Sequence, residues 1–410
     1  MINKFFLSVS IFYFLYGQVE YNHPEFNWQT FETKNFKVHF HDETEKSARE
    51  AASIAEIIYG PITNFYDFHP KEKTHIILTD PDDYSNGAAY YYDNKIKIWA
   101  TPLDFELRGS HRWLQNVITH EFVHIVSLQK AMKAGTKIPG AYLQFMQYEK
   151  EKRPDVLYGF PNTIVSYPIP GTTIPPWLAE GTAQYMYENA DWDTWDSHRD
   201  MVLRDLVIFN KMMNFNEINT FGKKGIGNET TYNTGFAFAN YLANRFGPNS
   251  FKKIFYNLSS PFEFSIDNAM YNTYKKGGYE LYDDFRNELE TRYERLVEPI
   301  RLLPINGKIL LSEGTTNIHP KWSPDGKRFI YLSNKKNDYF GQTTLYLFDL
   351  QTLEEKKIKS GVSSAACWHS NGEIIYYSKK PKYPNKNGSK FYDLYSYNLK
   401  TEKEKRLTTD

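Results

Sequence analysis

The feature that most narrows the possible folds is a repeat near the end of the chain. KWSPDGKRFIYLSN from Lys321 is echoed by CWHSNGEIIYYSKK from Cys367, and LYLFDLQTLEEKKI from Leu345 by LYSYNLKTEKEKRL from Leu394, so the copies lie 46 to 49 residues apart. Each copy carries four short strand-like segments and a Trp-x-x-Asp/Asn-Gly turn. A unit of this size cannot bury its sheet faces alone and has to stack on a neighbour, which is the pattern of a propeller blade. Closing a ring takes at least about four blades, so two copies give an incomplete β-propeller, expected over residues 304–410. RLTTD at the end reads as the lead-in to a further blade of a longer protein.

The remaining residues must form something else, because 410 residues exceed what one ordinary core accommodates. Residues 35–40, NFKVHF, alternate like a strand, residues 45–65 have helical spacing, and residues 74–80, THIILTD, read as a second strand. Residues 87–102, GAAYYYDNKIKIWATP, read as a hairpin turning at Asp93-Asn94, with its second strand at a sheet edge. A helix is expected over 112–130 and another from PPWLAEGTAQYMYE, with Pro175 and Pro176 at its start. Further helices follow to about Leu302. Between Ala131 and Thr173 the helical period weakens and Pro and Gly accumulate, which reads as an irregular connection that caps or rims a site. Strands before Pro102 and helices after Pro175 suggest two lobes within residues 18–303.

Forty-nine basic and 49 acidic residues cancel, which leaves no electrostatic case for nucleic acid or an anionic membrane surface as partner. Aromatic residues make up 17% of the chain, enough for packed cores. The start, MINKFFLSVSIFYFLYGQ, places Lys4 before an apolar run over residues 5–16, too short to span a bilayer but suited to a secretory signal over residues 1–17. An exported protein, periplasmic or secreted and with no stable membrane span after cleavage, is expected. The single cysteine, Cys367, excludes an intrachain disulfide.

The chemistry concentrates in VITHEFVHIV, residues 117–126. His120 and His124 stand four apart and share a helical face, a spacing at which two imidazoles reach one metal ion. Glu121, next to His120, can reach a metal-activated water without ligating the metal. Catalytic zinc takes a third protein ligand, and Glu180 in PPWLAEGTAQY is the strongest candidate; a glutamate favoured by the helix dipole is the alternative.

Together, His120-Glu121-Phe122-Val123-His124 and Trp177-Leu178-Ala179-Glu180-Gly181 resemble the motifs of the gluzincin metallopeptidases, in particular the peptidase-MA-like group. The resemblance covers roughly residues 74–247. It implies an α+β, thermolysin-like catalytic domain with an N-terminal sheet lobe and a helical C-terminal lobe. It also implies Zn2+ on His120, His124 and Glu180, with Glu121 as general base in hydrolysis of a peptide or protein substrate. Tyr232 matches, more loosely, a tyrosine that hydrogen-bonds the oxyanion; one of 32 tyrosines packing a helix start is the alternative. The edge strand, with Ile96, Ile98 and Trp99, would bind substrate. Gly87-Ala88-Ala89-Tyr90-Tyr91 lacks the amine-binding glutamate of the aminopeptidase branch, which favours an endopeptidase. The C-terminal copies resemble TolB-like repeats with their W-S-P-D-G core, from which the second copy departs at His369, Ser370 and Asn371. The competing function is a binding protein whose propeller holds a peptide, glycan or envelope partner, with a non-catalytic zinc lobe.

Overall fold

A computed structural model describes residues 23–103, 112–135, 138, 140–155, 159–189, 195–222, 226–304, 306–337 and 342–409. The proposed signal segment, residues 1–17, lies outside the described residues. Among them no helix is long and apolar enough to cross a membrane.

The chain divides into two units. The first covers Trp28–Asp80 and Tyr84–Gly307; the second covers Lys308–Asp410, with Pro81–Asp83 assigned to it.

In the first unit, β1 (Trp28–Glu32), β2 (Phe36–His41), β3 (Thr74–Thr79), β4 (Gly87–Tyr90) and β5 (Lys95–Trp99) form one sheet in the order β1-β2-β3-β5-β4. Strands β2, β3 and β5 run parallel, while β1 and β4 pair antiparallel on the two outer sides. Helix α1 (Glu45–Tyr66) is the crossover that a parallel β2–β3 pair requires. Its buried Ala48, Ala51, Ala52, Ala55, Ile58 and Ile62 recur at helical spacing and face the common core. Asp67, with φ of 52°, ends it in the left-handed conformation.

The edge of this sheet is not where the sequence suggested. Strand β5 lies between β3 and β4, and Ile96 and Ile98 are fully buried in the core, so they are packing residues with no access for a substrate. Trp99 faces the other way, with the Lys97 Nζ 4.6 Å from its ring centre and Tyr84 edge-on at 5.5 Å. Alternating lysines made β5 look like a border, but the burial pattern alternates in step with them, as it does for any strand with one covered face. The border strand is β4.

Helix α2 (Trp113–Lys130) is buried on nearly every side, with Ile118, Phe122, Val123, Ile125 and Val126 at zero exposure. Between α2 and α3 (Pro176–Asn189) the described residues are not the irregular connection expected: they form β6 (Gly140–Tyr148) and β7 (Pro161–Pro170), an antiparallel pair with no other strand beside it among the described residues. The remaining helices are α4 (Ser197–Ile208), the short α5 (Phe215–Ile218), α6 (Asn228–Phe246), α7 (Asn249–Leu258), α8 (Ile266–Tyr274) and α9 (Gly278–Leu302). Their apolar residues join α1, α2 and the sheet in one core cluster.

The second unit holds two four-stranded antiparallel sheets. One is β8 (Asn317–Trp322), β9 (Arg328–Ser333), β10 (Thr344–Asp349) and β11 (Glu355–Ser360); the other is β12 (Cys367–Trp368), β13 (Ile374–Lys379), β14 (Asp393–Asn398) and β15 (Lys403–Arg406). They are the two repeat copies, and they do not close a ring. Ile330, Leu332, Leu345 and Leu347 of the first share a buried cluster with Ile375, Tyr377, Tyr395 and Tyr397 of the second, as stacked blades must. Each blade repeats one polar cluster. In the first, Tyr331 and Lys335 meet Glu355, and the Lys335 ammonium lies 4.5 Å from the Tyr346 ring centre. In the second, Tyr377 and Lys379 meet Glu404, with Lys379 at 4.6 Å from the Tyr395 ring centre.

Candidate metal centre

The candidate site is built from two helices and one strand. On α2, His120 and His124 are one turn apart, and their Nε2 atoms face each other at 2.9 Å. On α3, Glu180 sits in the opening turns, with Oε2 at 2.9 Å from His120 Nε2 and 3.2 Å from His124 Nε2. All three side chains are buried, at 7–8% exposure. They are the single group of potential metal donors found among the described residues, with donor atoms within 4.8 Å of one another.

Local packing explains how Glu180 gets there. The amides of Leu178 and Ala179 both bond back to the Pro175 carbonyl and open the helix. Trp177 is fully buried, and its indole N–H donates to Asn219 at 3.1 Å, which fixes the first turn. Gly181 then meets α6 so closely that an added Cβ would lie 2.3 Å from the Gly235 carbonyl oxygen, and a Cβ on Gly235 would lie 2.6 Å from that of Trp177. Only glycine at both positions permits this approach. The approach brings the start of α6 to α2, and the Tyr232 ring lies 6.1 Å from the His120 ring at 30°.

Glu121 is buried behind the cluster. Burial pushes its carboxyl above the usual range; the imidazoles of His120 and His124 oppose this, and the Glu180 charge adds to it. The Ala89 backbone N–H donates to this carboxylate. A Cβ on Gly87 would lie 2.4 Å from Val117 Cγ2 and 2.9 Å from Glu121 Oε1. The segment that the sequence singled out for lacking a glutamate is therefore the strand lying against Glu121. Its role was hidden because it acts through a backbone amide and a missing side chain. The only sequence trace is the run Gly87-Ala88-Ala89 in a strand position.

Glu180 differs. Burial opposes its charge, but His124 and the hydrogen bonds of both imidazoles outweigh that cost and hold the carboxyl well below its ordinary range. For His124, burial acts downward and Glu180 acts upward, and the net direction is upward. Its other nitrogen, Nδ1, is buried without a hydrogen-bond partner among the described residues.

This arrangement fits a metal ion. Two imidazole nitrogens aimed at each other and at one carboxylate oxygen cannot all be satisfied by protons, because at most one shared proton fits between the two nitrogens. A cation satisfies all three at once, and two His with one Glu is a donor set of catalytic zinc. Of the residues expected in the site, the structure brings together His120, Glu121, His124, Glu180 and Tyr232; it leaves out Ile96, Ile98 and Trp99.

No family model matches the chain, so the gluzincin resemblance rests on the two motifs. Over 107 residues the chain is 34% identical to the Tol-Pal system protein TolB of Ruthia magnifica subsp. Calyptogena magnifica, which covers 26% of this chain and 23% of that relative. It is 33% identical over 96 residues to the TolB of Vesicomyosocius okutanii subsp. Calyptogena okutanii (strain HA), covering 23% and 20%. The chain thus spans under a quarter of the length of the curated relatives it matches. Among solved structures it is similar to TolB from Acinetobacter baumannii, at 26% identity and a TM-score of 0.21 over 25% of this chain and 24% of that one. It is also similar to an oligogalacturonate lyase in complex with manganese, at 23% identity and a TM-score of 0.20 over 25% and 26%. The sequence matches support a TolB-like, propeller-type relationship for part of the chain.

Proposed function

We infer that the chain is an exported, zinc-dependent metallopeptidase whose catalytic unit precedes a TolB-like propeller. The observation that carries this reading is the convergence of His120, His124 and Glu180, with Glu121 buried beside them. His120, His124 and Glu180 would hold the zinc, and the ion would supply Lewis acidity for activating a water and polarising the scissile carbonyl. Glu121 takes the proton from the attacking water and delivers it to the leaving amine. The Ala89 N–H bond keeps the carboxylate oriented. Tyr232 donates to the oxyanion, a role supported by the nearness of its ring to His120. A substrate adds as a strand along β4, whose residues Gly87, Ala88, Ala89 and Tyr90 offer no carboxylate to hold a free amine, so cleavage is internal.

The similarity to TolB favours a second reading: a periplasmic binding protein whose propeller holds a protein partner of the envelope, with a zinc lobe that does not turn over. Retention of Glu121 argues for catalysis, since a structural site needs ligands but no base. Incubating the zinc-loaded chain and its Glu121→Gln variant with a mixed peptide library separates the two. Internal cleavage by the first and none by the second supports the peptidase; no cleavage by the zinc-loaded wild type would leave the binding protein.

A further inference from the structure

The border strand β4 is open to only one kind of hydrogen-bonding group. Asn86, which directly precedes it, accepts from the Trp99 N–H at 3.0 Å. Antiparallel pairs alternate between bonded and non-bonded, so Ala88 bonds to Lys97 and Tyr90 to Lys95, while Gly87 opposite Ile98 and Ala89 opposite Ile96 are the non-bonded pairs. The N–H and C=O of Gly87 and Ala89 therefore point away from β5. No strand lies beyond β4 among the described residues, so these groups are what the sheet offers along this edge.

Both donors among them are already engaged. The Gly87 N–H donates to Oδ1 of the Asn86 side chain at 2.9 Å, and the Ala89 N–H donates to Glu121. The Asn86 Nδ2 donates in turn to the Tyr84 hydroxyl at 3.4 Å, which keeps Oδ1 turned toward Gly87. What remains are two acceptors, the carbonyls of Gly87 and Ala89, which no donor among the described residues reaches. An ordinary sheet edge presents N–H and C=O groups alike; this one presents acceptors alone. The causes are local. An Asn side chain readily bonds a nearby backbone amide, and Gly87 has no Cβ to hold off Glu121, whose Oε1 would lie 2.9 Å from such an atom.

We propose that β4 holds a peptide substrate through the substrate's own N–H groups alone, at two residues separated by one, with Asn86 as a plug that withholds the Gly87 N–H. This rests on the metallopeptidase reading above. The two open carbonyls are two residues apart, and in a strand laid on β4 in either direction alternate residues turn their N–H groups toward it. The residue between them turns its N–H away. Substrate carbonyls find no donor on this edge while Asn86 and Glu121 keep their bonds. The ligand is therefore an extended chain with unsubstituted amides at two alternate positions, and proline, which has no N–H, is rejected at both.

Kinetics on a library peptide that the zinc-loaded wild type cleaves, and on its singly N-methylated analogues, test this. Methylation is expected to raise KM by about tenfold, the worth of one good hydrogen bond, at two positions separated by one, and to be tolerated at the position between them. Asn86→Ala frees the Gly87 N–H for a substrate carbonyl and is expected to lower KM by about fivefold on the same scale, with zinc content unchanged. Asn86→Asp, which keeps the acceptor, stays at the wild-type KM. Loss at adjacent positions only, equal loss at every position or no loss at any would overturn the proposal. So would a KM in Asn86→Ala that is unchanged, or raised as for a residue that merely shapes the turn. Those results leave the peptidase reading standing, whereas cleavage of no peptide by the zinc-loaded wild type defeats that reading and the proposal with it.

Discussion

At the scale of single residues, the site is written in two ways, and only one shows in a sequence. His120, Glu121, His124 and Glu180 act through side chains, so their spacing carries the chemistry and points to one another before any coordinates are considered. Gly87 and Ala89 act through a missing Cβ and a backbone amide, which composition cannot distinguish from ordinary strand residues. Glu121→Gln should retain metal and lower peptide cleavage by about 10²–10⁴-fold, the range for a general acid–base group, as read by bound zinc and initial rate on one peptide. Gly87→Val should come close to the same phenotype from β4, the strand that lies against Glu121. Its added atoms would collide with Glu121 Oε1 and Val117 Cγ2, so turnover is expected to fall by about 10²-fold or more with zinc content unchanged. Wild-type turnover in that variant would mean that β4 does not set the position of Glu121.

At the scale of elements, β2, α1, β3, β4, β5 and α2 are legible in the sequence from apolar periodicity, whereas β1, exposed along nearly all of its length, carries no apolar stripe to reveal it. Two further features escaped. The order of β4 and β5 cannot be read from a hairpin's own pattern, since either strand can lie outermost; here the parallel pairing of β3 with β5 decides it. The β6–β7 hairpin was hidden because apolar residues occur on both of its faces and prolines interrupt β7. The α3–α6 crossing depends on two glycines. Gly235→Ala should therefore destabilise the first unit by about 1–3 kcal/mol, the usual cost of overpacking, measured by denaturant unfolding, and weaken zinc retention because Glu180 moves with α3. In the second blade, burial raises the Glu404 carboxyl, but hydrogen bonds from Lys379, Tyr377 and Lys359 outweigh it, and its affinity for protons falls below the ordinary 4.5. A carboxyl lowered on folding contributes stability above its unfolded pKa and loses it as pH falls toward the folded value. Glu404→Gln should thus lower the urea midpoint at neutral pH, with the difference from wild type shrinking as pH drops below 4.5. A difference that is constant with pH would contradict this.

At the scale of the whole molecule, the chain carries two independent kinds of information. The repeat near its end is periodic, so sequence reveals the blades and their stacking, and similarity to TolB proteins over about a quarter of the chain agrees. The first unit is not periodic, and its proposed function hangs on His120 and His124 of one helix and on Glu180 of another, 56 residues after His124. The most direct measurement is zinc stoichiometry by elemental analysis of the purified chain after loading and desalting. One zinc per chain is expected for wild type and for Glu121→Gln, and loss from His124→Ala and Glu180→Ala. Wild type that holds no zinc, or Glu180→Ala that binds it as tightly as wild type, would contradict the account.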